Sequence, residues 1–101
     1  MKFTVSRTNG RVDVKIKGAL DLSQADSLES EFQRLLQRDF KEAVFNFKSV
    51  PFITSSGIGK FLIFYKQASA DGRQVRIKGI NENLLNLFKI IKLDYLVPME
   101  Q

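Results

Sequence analysis

Between Ala43 and Ala70 the hydrophobic pattern changes period once, and this change constrains the fold more than any other feature of the chain. Ala43-Val44-Phe45-Asn46-Phe47 is apolar on both faces apart from Asn46, the pattern of a central strand. From Ile58 to Ala68 the apolar spacing is helical. The stretch Pro51-Phe52-Ile53-Thr54-Ser55-Ser56-Gly57-Ile58-Gly59 joins the two. A buried strand, a short junction and an amphipathic helix form a βα unit, and such units build parallel sheets.

The rest of the chain extends that unit. Phe3 and Val5 alternate with polar residues, as do Val12, Val14 and Ile16, with Asn9-Gly10 between the two runs. Both turn residues tolerate positive φ, so a hairpin is expected at residues 2–7 and 11–17, closed by Gly18. Ser23 reads as the cap of a first helix, with Asp26 three residues on. The stripe of that helix is Ala25, Leu28, Phe32, Leu35 and Leu36, and its end falls near Arg38-Asp39. The second helix spans about Ser56 to Ala70 and stops at Asp71-Gly72. Val75 and Ile77 mark a fourth strand. Asn81 caps a third helix, with stripe Leu84, Leu87, Phe88 and Ile91, and Pro98 argues against continued helix in the tail. The order is β-β-α-β-α-β-α, an α/β fold with a four-stranded mixed sheet covered by helices. One antiparallel edge comes from the hairpin, and the other pairings come from right-handed crossovers.

Composition narrows the function. At 101 residues the expectation is one domain, residues 1–101. Cysteine is absent, which removes disulfides, thiol catalysis and thiolate metal sites. Histidine is absent too, and with it the commonest general base and transition-metal ligand. No hydrolase triad or zinc site can be assembled, so the chain reads as a non-enzyme with no metal or other cofactor. No run approaches the roughly 18 apolar residues of a membrane span, and no signal-peptide core follows Met1. A cytoplasmic protein without membrane insertion is the expectation. The net charge is +5, but the basic residues are dispersed along the sequence. That reads as a solvated surface with mild attraction to an acidic partner, not as a nucleic-acid site.

The junction at 51–59 carries the chemistry. Three hydroxyl residues and two glycines stand at the start of a helix, where unpaired N–H groups and the positive dipole end favour an anion. A phosphate on a serine there would be held without unfolding the chain, adding about two negative charges. The plainer reading is structural, since serine and threonine are preferred helix caps. Gly57 and Gly59 weigh against it, because each costs up to about 1 kcal/mol relative to alanine in a helix. Something must approach that backbone closely, either another element of the fold or a second protein.

The run Phe52 to Gly59, with its preceding strand and following helix, resembles the signature of STAS domains. These domains are shared by sulfate transporters and bacterial anti-sigma factor antagonists. The usual pattern is aspartate, serine, then serine, threonine or alanine, then Gly-Leu-Gly. Gly18-Ala19-Leu20-Asp21 is similar to the family's Gly-x-Leu/Ile-Asp before its first helix. Thr54 stands where the family usually has aspartate. The resemblance implies that Ser55 is the phosphoacceptor, with Ser56 as the alternative, and that Asp21 lies beside it at the same end of the sheet. The position of both loops after neighbouring parallel strands gives the same expectation. Asp21 has a structural reading as well, as a helix cap together with Ser23.

Helical geometry sorts the second helix. Ile58, Phe61, Leu62, Tyr65 and Ala68 fall on one side, expected to be the core. Ser56, Gly59, Lys60, Ile63 and Gln67 fall on the other, which makes Ile63 an apolar knob beside two small residues. Ser56, Gly59, Lys60 and Ile63 of this side, with Asp21, Thr54, Ser55 and Gly57, form the candidate partner face. The resemblance implies a partner-switching regulator of transcription. Its partners are an anti-sigma factor that is also a serine protein kinase, and a serine phosphatase. Two other readings stand beside it: a non-phosphorylated STAS scaffold subunit of a transporter or signalling assembly, and a small-ligand site at the helix N-terminus.

Overall fold

A computed structural model describes residues 1–101. Strands β1 (Lys2–Thr8) and β2 (Arg11–Lys17) form the expected hairpin. Asn9 and Gly10 both adopt positive φ, at 47° and 82°, as a tight two-residue turn requires. Helix α1 (Ala25–Leu36) then leads to β3 (Glu42–Ser49), α2 (Ser55–Ala70), β4 (Gln74–Lys78) and α3 (Glu82–Ile90). The sheet runs β1-β2-β3-β4, antiparallel in the first pair and parallel in the other two. The apolar strand β3 lies between β2 and β4, where its pattern places it.

Each parallel step moves in the same direction across the sheet. Right-handed crossovers repeated in one direction put all the helices on one face. The burial pattern agrees. Val12, Val14, Ile16, Ala43, Phe45, Phe47, Val75 and Ile77 point into the core, while the alternate residues of β1, β2 and β4 are polar and at least partly exposed. The opposite face of the sheet is therefore bare. After α3 the tail turns back along β4, where Met99 bridges Ile77 in parallel and the Ile77 N–H donates to the Pro98 carbonyl at 2.9 Å. This pairing protects the sheet edge that β4 would otherwise expose.

The centre is aromatic. Phe45 on β3 packs edge-on against Phe32 of α1 and against Phe61 and Phe64 of α2, with centroids 5.4–5.9 Å apart. Each such ring contributes about 1.5–3 kcal/mol by burial, and this cluster locks the two helices to the middle strand.

Three local readings of the sequence need correction. Ser23 does not cap α1. It lies in a short 3-10 turn, Leu22–Gln24, and its hydroxyl donates to Asp21 Oδ1 instead. The buried side of α2 is Gly57, Phe61, Phe64 and Ala68, whereas Ile58, Leu62 and Tyr65 are only half-buried. Ile91 ends α3 as an exposed residue, while Leu84 and Phe88 carry its packing. The Asn81 cap is as expected, its side chain accepting from the Leu84 N–H at 2.9 Å.

Candidate functional site

Beyond the regular strands, the loops that follow β2 and β3 remain zipped together. The Gly18 N–H donates to the Ser49 carbonyl at 2.9 Å, and the Leu20 N–H to the Phe52 carbonyl at 3.1 Å. Leu20 and Ile53 form a parallel bridge, and the Thr54 N–H returns to the Leu20 carbonyl at 3.0 Å. Asp21 follows Leu20 directly, and Ser55 follows Thr54. One ladder thus delivers a carboxylate and a hydroxyl to the same place.

They meet in an open groove of about 610 Å³ lined by Asp21, Leu22, Ser23, Thr54, Ser55 and Ser56. Ser55 is the first residue of α2 and is exposed, while Ser56 is half-buried. Thr54 occupies the capping position but does not cap. Its hydroxyl turns to the Leu20 carbonyl at 3.4 Å, which already accepts the Thr54 N–H. No side chain therefore covers the leading N–H groups of α2, and they remain available to an anion.

The two glycines separate cleanly. A Cβ on Gly57 would sit 2.5 Å from the Leu20 oxygen and 2.8 Å from Ile53 Cγ1. The Leu20–Ile53 ladder itself is what approaches the helix there. A Cβ on Gly59 would meet nothing within 4 Å, so the fold places no steric demand for glycine at that position.

Asp21 is held below the usual carboxylate range, chiefly by the Ser23 hydroxyl at 2.5 Å, with smaller contributions from the N–H dipoles of Ser23 and Gln24. Its side chain makes no cap hydrogen bond, and it stays charged at neutral pH. Lys60 is less free than its helix position implies. Its Nζ lies 3.0 Å from Glu29 Oε2, tying α2 to α1. Ile63 is 47% exposed, as expected for a knob on the outer side. The sequence reading missed Leu22, which is 75% exposed and lines the groove, and Phe52, which is 50% exposed just before Ile53. Their signal was their position next to Asp21 and Ile53, in loops expected to be polar. No group of three or more acidic side chains could hold a metal ion.

The family model for the STAS domain matches residues 2–101, which include both loops of the groove. The chain belongs to the STAS domain family. Among relatives of this STAS domain is an anti-sigma-B factor antagonist of Staphylococcus aureus, 25% identical over 89 residues, a match spanning 88% of this chain and 82% of that protein. An anti-sigma factor antagonist from Mycobacterium paratuberculosis superposes with a TM-score of 0.86 at 17% identity, covering 98% of this chain and 84% of its own. The Bacillus cell fate determinant SpoIIAA, solved in its phosphorylated form, gives 0.74 at 18% identity, with 99% and 92% covered. No helix of this chain is long and apolar enough to cross a membrane.

Proposed function

We propose that the chain is an anti-sigma factor antagonist, a module that binds an anti-sigma factor and frees the sigma factor it holds. The contact face is built from Asp21, Thr54, Ser55, Ser56, Gly57, Gly59, Lys60 and Ile63, with Leu22 and Phe52 as apolar margins. The anti-sigma factor is also a serine kinase, and Ser55 is its substrate. The Ser55 oxygen attacks the γ-phosphorus of ATP, its proton passes to the kinase, and ADP leaves. A serine phosphatase hydrolyses the ester and resets the switch. This chain supplies the hydroxyl and the contact face and performs no chemistry of its own.

The observation that carries the reading is the uncapped start of α2 beside Asp21. An exposed hydroxyl stands on free N–H groups, so a phosphate is tolerated by the fold. The same phosphate in a closed interface leaves an unpaired buried charge, which costs several kcal/mol and separates the partners. That a structural neighbour, the Bacillus cell fate determinant SpoIIAA, exists in a phosphorylated form supports a phosphorylation switch. Thr54 supports the competing scaffold reading, because its hydroxyl serves the Leu20 carbonyl and offers a kinase no carboxylate.

The test is incubation with a serine-kinase anti-sigma factor and ATP, followed by mapping of the modified residue. Phosphate on Ser55, lost in Ser55→Ala, is the expected result. An unmodified protein that still binds the kinase favours the scaffold.

A further inference from the structure

The basic residues, dispersed in the sequence, are gathered by the fold. The bare face of the sheet carries seven of the sixteen basic side chains and two of the eleven acidic ones. The rest of the molecule holds nine of each sign, so the entire net charge of +5 lies on this face. Its two arginines are already engaged, Arg11 with Asp13 at 3.3 Å and Arg76 with Glu42 at 3.5 Å. Lys2, Lys15, Lys17, Lys48 and Lys78 have no carboxylate partner. Lys2 and Lys17 are direct register partners, and Lys15, Asn46 and Lys78 form one row across three strands. With strands about 4.8 Å apart, the ends of that row are about 10 Å apart. Thr4, Asp13, Lys15, Asn46 and Lys78 border a shallow trough of about 390 Å³ there.

The side chains present select among polyanions. Val44 is the only apolar residue on the face and is buried, so no anchor for a desolvated protein interface exists there. No aromatic ring is available to stack on single-stranded bases, and no helix or protruding ribbon projects to enter a duplex groove. The free cations are all lysines, hydrated point charges that need no fixed bidentate geometry. A broad set of such charges without an inserting side chain fits a fluid, anionic surface.

We propose that the bare sheet face docks electrostatically on a bilayer rich in anionic lipid headgroups. Nothing inserts, so the contact is peripheral and reversible by salt. Ser55 heads a helix on the opposite side of the sheet and stays accessible while the face is occupied.

Vesicle flotation tests this. The protein should float with phosphatidylcholine vesicles containing about 30 mol % phosphatidylglycerol at about 50 mM salt and be released at about 500 mM. Vesicles of phosphatidylcholine alone should not retain it. Lys15→Gln with Lys78→Gln should lower partitioning about 25-fold, roughly fivefold per lysine, without shifting the melting temperature. Lys66→Gln, on α2, should leave partitioning unchanged. Equal binding to neutral and anionic vesicles, or wild-type binding by the double variant, overturns the proposal. Capture by a short DNA duplex at lower phosphate concentration than by the vesicles, with the same lysine dependence, also overturns it and reassigns the face to nucleic acid.

Discussion

Leu20 and Ile53 form a parallel bridge just beyond the ends of β2 and β3, and this single pairing places Asp21 and Ser55 in one groove. Gly57 packs directly on the same pair. The geometry of the site thus depends on a backbone ladder that excludes a side chain at one helix position.

Gly57→Ala and Gly59→Ala should therefore move stability in opposite directions. The first forces a methyl against the Leu20 oxygen and Ile53 and should cost about 1–3 kcal/mol. The second fills empty space on a helix and should gain about 0.5–1 kcal/mol. Urea denaturation of both variants reads the difference, and a stable Gly57→Ala would show that the ladder yields. If a partner seats on Gly59, the stabilised variant should still bind it more weakly.

Ile63→Asp should leave folding within about 0.5 kcal/mol of wild type, since the side chain is half in solvent and supports nothing. Association with the anti-sigma factor should weaken. Calorimetry and a binding titration on the same sample check both outcomes, and loss of cooperative melting would place Ile63 in the core.

Asp21 titrates below the ordinary aspartate value because the folded state holds its charged form, with the Ser23 hydroxyl as the main cause. A depressed folded pKa contributes stability above the unfolded value, near pH 4, and that contribution fades as pH falls through the lower folded value. Ser23→Ala should return the Asp21 titration toward pH 4 in a carboxylate-resolved NMR titration. An unmoved midpoint would assign the effect to the backbone dipoles.

The hairpin, the strand at Ala43–Phe47, the Asn81 cap and the helix beginning among the hydroxyls were legible because each rests on local chemistry. Turn residues, an apolar run and a capping side chain act within a few positions. The errors fell where tertiary packing decides. Ser23 carries the right side chain for a cap, yet a 3-10 turn moves the start of α1 to Ala25 and puts Gln24 at the capping position, leaving the Ser23 hydroxyl to donate to Asp21. Phe64 lies between the two helix faces by angle alone, and packing on the rings of Phe32 and Phe45, at 4.9 and 5.4 Å, takes its side into the core. The lysine face was hidden for a different reason. Alternation along β2 shows Arg11, Asp13, Lys15 and Lys17 on one side, but strand order decides whether helices cover that side. Gly57 and Gly59 read alike in sequence, and only coordinates separate the one packed by Leu20 from the one left open.

The central claim is that Ser55 bears a charge the fold accepts and the partner does not. Ser55→Asp tests it most directly, with melting and anti-sigma factor binding measured together. A negative side chain at the start of α2 gains about 0.3–1 kcal/mol from the helix dipole, offset by repulsion from the charged Asp21 that lines the same groove, so the variant should melt close to wild type. Binding should be lost, while Ser55→Ala should bind and resist phosphorylation. A Ser55→Asp protein that folds and binds like wild type, together with a wild-type chain that the kinase modifies at neither Ser55 nor Ser56, would contradict the switch and leave the scaffold reading in its place.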